Sequence, residues 1–252
     1  MRPTERGVFL ERERVLAVAD LHLGYEFELL RSGLRIPSQT QKMKERLLAM
    51  IGEVQPEELI VVGDFKHNIP YVGDWEYEEL ERFARDLEVK VTIIKGNHDV
   101  GLASILHAQN VSFGRMRGEV RARVGFIHGH TWPDRELLKC RYLVMGHSHP
   151  ALVLKDFLGV ETRLSCFVES KPIWKEMVGR YPGGLEEYNE RLKVIVLPSF
   201  NKLLGGTGFN VETPLGPIAK SCLDLPNSTI ILEDGTIVGK IKHLAARPID
   251  RS

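Results

Sequence analysis

The sequence predicts an α/β (α+β) fold, parallel in its first half and more antiparallel in its second. Two observations carry this. Short apolar runs alternate with amphipathic helical stretches up to Ile94, the rhythm of parallel pairing. Beyond that point short strands follow one another with little helix between them. A third observation places chemistry on the frame. Five segments carry metal-ligand residue types at or near the ends of apolar runs: Asp20 with His22, Gly63-Asp64, Gly96 to Asp99, His128 to His130, and Gly146 with His147 and His149.

The elements follow in order. Val15 to Ala19 is an apolar run ending at Asp20 and reads as a buried strand. Gly7 to Leu10 is placed to pair with it across the charged turn Glu11 to Glu13. Ser38 to Gly52 reads as a helix, with Met43, Leu47, Leu48 and Ile51 near helical spacing and Ser38 as N-cap. Glu58 to Val62 is a second buried strand, Trp75 to Leu87 a second amphipathic helix, and Val89 to Ile94 a third strand. Val111 to Phe113, Glu119 to Val124, Phe126-Ile127 and Tyr142 to Met145 are expected as short strands of the second sheet. Ala151 to Leu154, Ser165 to Val168 and Lys193 to Leu197 extend it. The region 170–192 reads as a surface insertion, polar from Arg180 to Glu190, and Asn201 to Asn210 as a mobile, glycine-rich loop. Thr229 to Leu232 and Thr236 to Lys242 make a hairpin around Asp234-Gly235, and the last residues are expected to fray. Without a repeat or a clean linker, 1–252 reads as a single domain.

Bulk properties narrow the function. With 43% hydrophobic and 27% charged residues, the chain has an ordinary globular composition. Lys+Arg and Asp+Glu are equal at 34 each, which excludes a strongly basic protein while leaving room for a local basic patch. Three distant cysteines without a CxxC argue against a disulfide framework and for a reducing compartment. The charged N-terminus, broken by Pro3 and Gly7, reads as neither a signal peptide nor a membrane span. A cytoplasmic location with no membrane partner is the expectation.

In open α/β sheets, ligands sit beyond the C-terminal strand ends. Asp20, Asp64 and Asn97 each follow an apolar run, so three adjacent strands would bring them to one edge. Asp20 and His22 are two apart, as are His147 and His149; on an extended backbone each pair points one way. His128 adds an imidazole from the second sheet. Asp20, His22, Asp64, Asn97, His128, His147 and His149 are therefore the candidate ligands of two divalent ions. Two carboxylates against two dications leave the centre positive even with a bound hydroxide, which suits an anionic phosphate. Mixed nitrogen and oxygen donors suit manganese, iron, zinc or cobalt better than calcium or magnesium and do not choose among them; manganese is the first expectation, with iron, zinc, cobalt or nickel as the other choices. Asp64 is the expected bridge, holding the ions about 3.5–4 Å apart around a water that becomes the attacking hydroxide. His98 is the expected general acid for the leaving alkoxide, and Asp99 is expected to orient it.

His67, His130 and Tyr25 are candidate substrate contacts, each equally readable as a packed or loop-bonding residue. Arg115, Arg117, Arg121 and Arg123 surround a Gly118 turn, either as a basic face for a nucleic-acid backbone or as a solvated hairpin. The Gly205 to Gly208 loop lacks the strand-to-helix context of a P-loop.

Taken in order, Asp20-x-His22, Gly63-Asp64, Gly96-Asn97-His98-Asp99, His128-Gly129 and Gly146-His147-x-His149 resemble the signature of the calcineurin-like metallophosphoesterase superfamily. The resemblance implies a four-layer αββα sandwich of two mixed β-sheets flanked by helices. It also implies one metal held by Asp20, His22, Asp64 and His149, and another by Asp64, Asn97, His128 and His147. Ala19 to Tyr25, His67 and Leu197 to Gly206 resemble more narrowly the SbcD-related archaeal phosphoesterases and the small phosphoesterases of bacterial DNA-ligase clusters. One departure stands out: His67 occupies a position where many members carry a carboxylate or Asn. Three functions are consistent with the resemblance. The first is a metal-dependent phosphodiesterase, including a nuclease acting on DNA or RNA. The second is a phosphomonoesterase or pyrophosphohydrolase of a small metabolite, which the zero net charge favours. The third is a non-catalytic scaffold, against which His98 speaks.

Overall fold

The computed structural model describes residues 1–67 and 74–244, with the backbone alone for 74–76. The expected fraying of the last residues lies outside that range. The first sheet contains β1 (Arg2–Pro3), β2 (Gly7–Leu10), β3 (Val15–Val18), β4 (Glu58–Val62), β5 (Lys90–Ile94) and β6 (Val111–Gly114), in that spatial order. β1 to β3 form an antiparallel meander, with Leu10 opposite Val15 across the charged turn. β3, β4, β5 and β6 are parallel. Val15 lies opposite Glu58, and Glu58 opposite Lys90, so these strands end at one edge.

The second sheet contains β7 (Glu119–Arg121), β8 (Val124–Ile127), β9 (Tyr142–Met145), β10 (Pro150–Lys155), β11 (Glu161–Ser170), β12 (Lys193–Val196) and β13 (Thr207–Gly208). Its order is β13-β10-β11-β12-β9-β8-β7. The hairpin of β14 (Thr229–Leu232) and β15 (Ile237–Lys240) joins it through β11.

Three strand expectations need correction. The second sheet is antiparallel in most of its pairings, but its centre, β8-β9-β12, is parallel. β6 pairs parallel with β5 and belongs to the first sheet. Glu119 to Val124 is not one strand: the chain turns at Ala122 (φ 52°) and returns as β8. A short apolar run carries no information about its partner's direction, which explains the first two misreadings.

Both faces of the central strands are buried in each sheet. In β3, Leu16 and Val18 face α2 (Thr40–Val54) and α3 (Asp74–Arg85), packing with Met43, Leu47, Leu80 and Phe83. Val15 and Ala17 point the other way, toward Phe126, Val144, Phe167 and Ile195 of the second sheet. On the outer face of that sheet, Leu143, Met145, Val194 and Val196 pack with Met177, Ile218 and Cys222. Met177 comes from α4 (Trp174–Val178), and the other two come from α5 (Pro217–Cys222). Strand alternation thus produces the helix–sheet–sheet–helix sandwich, and double-sided burial explains why the strands read as continuous apolar runs.

Smaller differences are also physical. α2 begins two residues after Ser38, whose Oγ accepts from Thr40 N–H at 3.3 Å. Within 170–192, Met177, Tyr181 and Leu192 fill the outer core, while the polar stretch around them is exposed. The loop from Asn201 is tied at both ends, by buried Asn201 and by the pairing of β13 with β10. Among the described residues no helix is long and apolar enough to cross a membrane.

Candidate metal centre and active site

The aligned strand ends deliver the candidate ligands. Asp20 and Asp64 each stand two residues beyond β3 and β4, His147 two beyond β9, and His128 directly beyond β8. The chain does not stay extended there. Asp20 (φ 57°), His22 (42°), Asp64 (50°), His147 (68°) and His149 (43°) are all left-handed. Tight turns, not a straight strand with period two, therefore aim the paired side chains. Each such residue costs about 1–2 kcal/mol, and strain of this kind gathers where side chains must converge.

Two glycines make room. A Cβ on Gly63 would lie 2.1 Å from His128 Nδ1, and one on Gly96 would lie 2.1 Å from Asp64 Oδ1. The segment after β12 clamps the first loop: Ser199 Oγ donates to Asp20 O at 2.9 Å, and Asn201 Nδ2 to Leu21 O at 3.1 Å. Neither residue was expected at the site. Their signal was two polar residues directly after an apolar strand.

All seven candidate ligands meet. The ligand atoms of Asp20, His22 and His149 lie within 4.8 Å of one another, as do those of Asp64, His128 and His147. Asp64 Oδ2 faces both groups, 3.3 Å from His22 Nε2 and 3.2 Å from His128 Nε2. Asn97 Oδ1 lies 3.1 Å and His147 Nδ1 3.2 Å from His128 Nε2. His149 Nε2 is 3.4 Å from Asp20 Oδ1. Backbone amides anchor the carboxylates: His98 N–H donates to Asp64 Oδ1 at 2.9 Å, and His147 N–H to Asp20 Oδ2 at 3.0 Å.

The chemistry of this donor set fits divalent cations. His128 Nδ1–H donates to Val62 O at 3.0 Å, so its Nε2 lone pair faces the oxygens of Asp64 and Asn97. Nε2 of His22 and Nε2 of His149 are buried without a hydrogen-bond partner. Converging buried lone pairs are unfavourable unless a positive charge sits among them. Proton affinities express the same demand. Burial opposes a charge on His128, yet the hydrogen bond to Asp64 and the charges of Asp20 and Asp64 push it up to about 9. Burial pulls His22 down to about 3, and burial with the His128 charge pulls His147 down to about 4. Burial would raise Asp64, but its hydrogen bond to His128 and the nearby imidazoles hold it well below the usual carboxylate range.

His98 stands beside this cluster, its ring centroid 4.8 Å from that of His22. Its Nδ1 donates to the His67 carbonyl at 2.7 Å. Asp99 does not orient it, contrary to expectation. Both Asp99 oxygens are spent on backbone amides: Oδ1 accepts from Phe65 and Lys66, and Oδ2 from Gly96 at 2.9 Å. Burial, reinforced by the Asp64 charge, raises Asp99 to about 6. This carboxylate ties the two ligand loops together.

His130 flanks the second group, 5.2 Å from the His128 ring, and burial with the His128 charge lowers it to about 4. Tyr25 opens α1 (Tyr25–Arg31), a helix with no clear sequence signal, and sets its ring edge-on to His67 at 4.8 Å. His67 is buried and contacts His22 on one side and Glu28 of α1 on the other. Glu28 had no expected role. Three of the four arginines around Gly118 are paired with carboxylates, and Arg123 is exposed. Arg115 pairs with Glu119 and Glu136, Arg117 with Asp134, and Arg121 with Glu58.

The calcineurin-like phosphoesterase superfamily domain model matches residues 14–170. Among solved structures, the chain is similar to the Pseudomonas putida nuclease MPE. They share 22% identity over 93% of this chain and 92% of that one, with a TM-score of 0.58, a likeness of fold. The phosphoesterase YfcE from E. coli is a more distant neighbour, at 14% identity over 90% of this chain and 97% of that one, with a TM-score of 0.43. No curated protein matches the sequence.

Proposed function

Because this chain belongs to the calcineurin-like phosphoesterase superfamily, we propose that it is a two-metal phosphodiesterase, with nucleic-acid strands as its substrate class. Asp20, His22, Asp64 and His149 would hold one ion, and Asp64, Asn97, His128 and His147 the other. When bound, the pair would supply Lewis-acid activation of water and neutralise phosphate charge. The orientation of Asp64 Oδ2 toward both His22 and His128 supports its bridging role.

The observation that carries the hydrolytic reading is the setting of His98. Its Nδ1 proton is held by an acceptor-only carbonyl at 2.7 Å. The exchangeable proton therefore sits on Nε2. As imidazolium, His98 delivers that proton to the departing oxygen and is left as the neutral Nδ1–H tautomer, still bonded to the carbonyl. A second reading, hydrolysis of a small monoester or pyrophosphate, draws support from three of the four arginines around Gly118 being committed to carboxylates.

Initial rates with Mn²⁺ on a chromogenic phosphodiester and the matching monoester, each with a chelated control, test the proposal. A chelator-sensitive diester rate above the monoester rate supports it. A higher monoester rate transfers the assignment to the second reading, and no turnover on either refutes both.

A further inference from the structure

We propose that Glu28 and His67 form a positioning relay that holds His22 in the tautomer able to bind a metal. The inference rests on the metal-centre reading but concerns residues outside the seven candidate ligands.

The argument is a count of protons. His22 Nδ1 lies 2.9 Å from His67 Nδ1, a hydrogen bond with room for one proton. The opposite nitrogen of His67, Nε2, is bonded to the Glu28 carboxylate. An ionised carboxylate only accepts, so the His67 proton sits on Nε2. When a cation takes the His22 Nε2 lone pair, that ring keeps its proton on Nδ1, and His67 Nδ1, 2.9 Å away, is the acceptor placed to receive it. The proton between the rings must belong to His22 Nδ1. That leaves His22 Nε2 unprotonated, buried, and 3.3 Å from Asp64 Oδ2 among the candidate ligands. The other tautomer would aim an N–H at Asp64 and could not ligate.

The surroundings make His67 a fixed part rather than a probing side chain. It is 8% exposed and His22 3%. Tyr25 packs edge-on against its ring, and His98 stacks on it at 5.1 Å with 21° between the planes. Glu28 reaches in from α1, with its side chain 58% exposed. Histidine at position 67 therefore works through His22. Relays of this kind set ligand basicity and orientation, and losing one weakens metal binding by about 10–100-fold.

The full chain, stripped of metal, tests this with Glu28→Ala, His67→Leu and His67→Asn. Mn²⁺ binding is read by titration calorimetry, and metal-free stability by thermal unfolding. Glu28→Ala removes the acceptor for His67 Nε2–H from a largely exposed position and leaves the core intact. Expected are a tenfold or greater loss of affinity at one Mn²⁺ site in Glu28→Ala and His67→Leu. His67→Asn, whose Oδ1 can still accept from His22 Nδ1, should recover most of it. Wild-type affinity in both Glu28→Ala and His67→Leu would overturn the relay while leaving the metal centre standing. A purely structural role would lower the metal-free melting temperature without moving Mn²⁺ affinity, and would also overturn it. A wild-type chain that binds no Mn²⁺ would overturn the metal-centre reading itself.

Discussion

The His67 carbonyl, 2.7 Å from His98 Nδ1, turns the His98 ring without any carboxylate partner. A carbonyl on the backbone cannot be removed by substitution and cannot change protonation state. The imidazole is thus oriented by the loop that carries Asp64, which ties the proposed acid to the candidate bridging ligand. His98→Ala is expected to lower kcat by about 10²–10⁴-fold while leaving Mn²⁺ affinity unchanged by calorimetry. A comparable loss of metal binding would mean that His98 is a ligand instead.

Asp99 acts on structure. In Asp99→Asn the amide Nδ2 meets the Gly96 N–H, donor against donor, in a fully buried site. The expected cost is about 1–3 kcal/mol of stability, measured by urea unfolding. A variant of normal stability would show that the bond from the Gly96 amide is dispensable.

Gly96 and Gly52 should respond oppositely to alanine. A Cβ on Gly96 would strike Asp64 Oδ1 and displace it from the cluster, so Gly96→Ala should lose both turnover and metal binding. Gly52 is exposed within α2, and a Cβ there would meet nothing within 4 Å. Gly52→Ala should stabilise the fold by about 0.5–1 kcal/mol, seen as a raised melting temperature with unchanged rates.

Glu58 and Arg121 bridge the two sheets. Arg121 Nε and Nη2 donate to the Glu58 carboxylate at 3.0 and 3.1 Å, and Thr92 Oγ1 adds a third bond at 2.6 Å. Burial would raise Glu58, but the hydrogen bonds from Arg121 and Thr92 outweigh it and lower it from 4.5. A carboxylate lowered in the folded state stabilises the fold above its unfolded value and loses that contribution as pH falls through the folded one. Glu58→Gln should therefore cost about 1–3 kcal/mol at neutral pH. The gap from wild type should close as pH drops below 4.5. A gap constant down to acid pH would remove the ion pair as its cause.

Metal should also stabilise the protein. Because the clustered lone pairs need a cation, Mn²⁺ at a hundred times its dissociation constant should add about 2.7 kcal/mol to folding stability. Chelation should reverse the shift in melting temperature. No shift would argue against a preformed site.

Much of this site was readable along the chain. Asp20, Asp64 and Asn97 follow apolar runs, and such runs become neighbouring parallel strands whose ends must coincide. Glycines at 63 and 96 were part of the same reading, and the structure shows that a side chain there would occupy a ligand's place. The direction of pairing was less readable, as β6 and the β8-β9-β12 centre show: a short strand does not report its partner's direction, and in the centre burial on both faces also erases the alternation that distinguishes sheet environments.

By itself, then, the sequence determined the donor types, their order and the strand ends that carry them, because these depend on residue identity and short-range pattern. Tertiary structure alone decided the hydrogen-bond assignments. It gave His98 a carbonyl rather than Asp99, spent Asp99 on loop amides, clamped the first loop with Ser199 and Asn201, and set Glu28 against His67. Those bonds join residues from distant stretches of chain or depend on left-handed turns at the ligands themselves. A hydrogen bond needs its partner within about 3 Å at a narrow angle, and only the packed chain sets such distances.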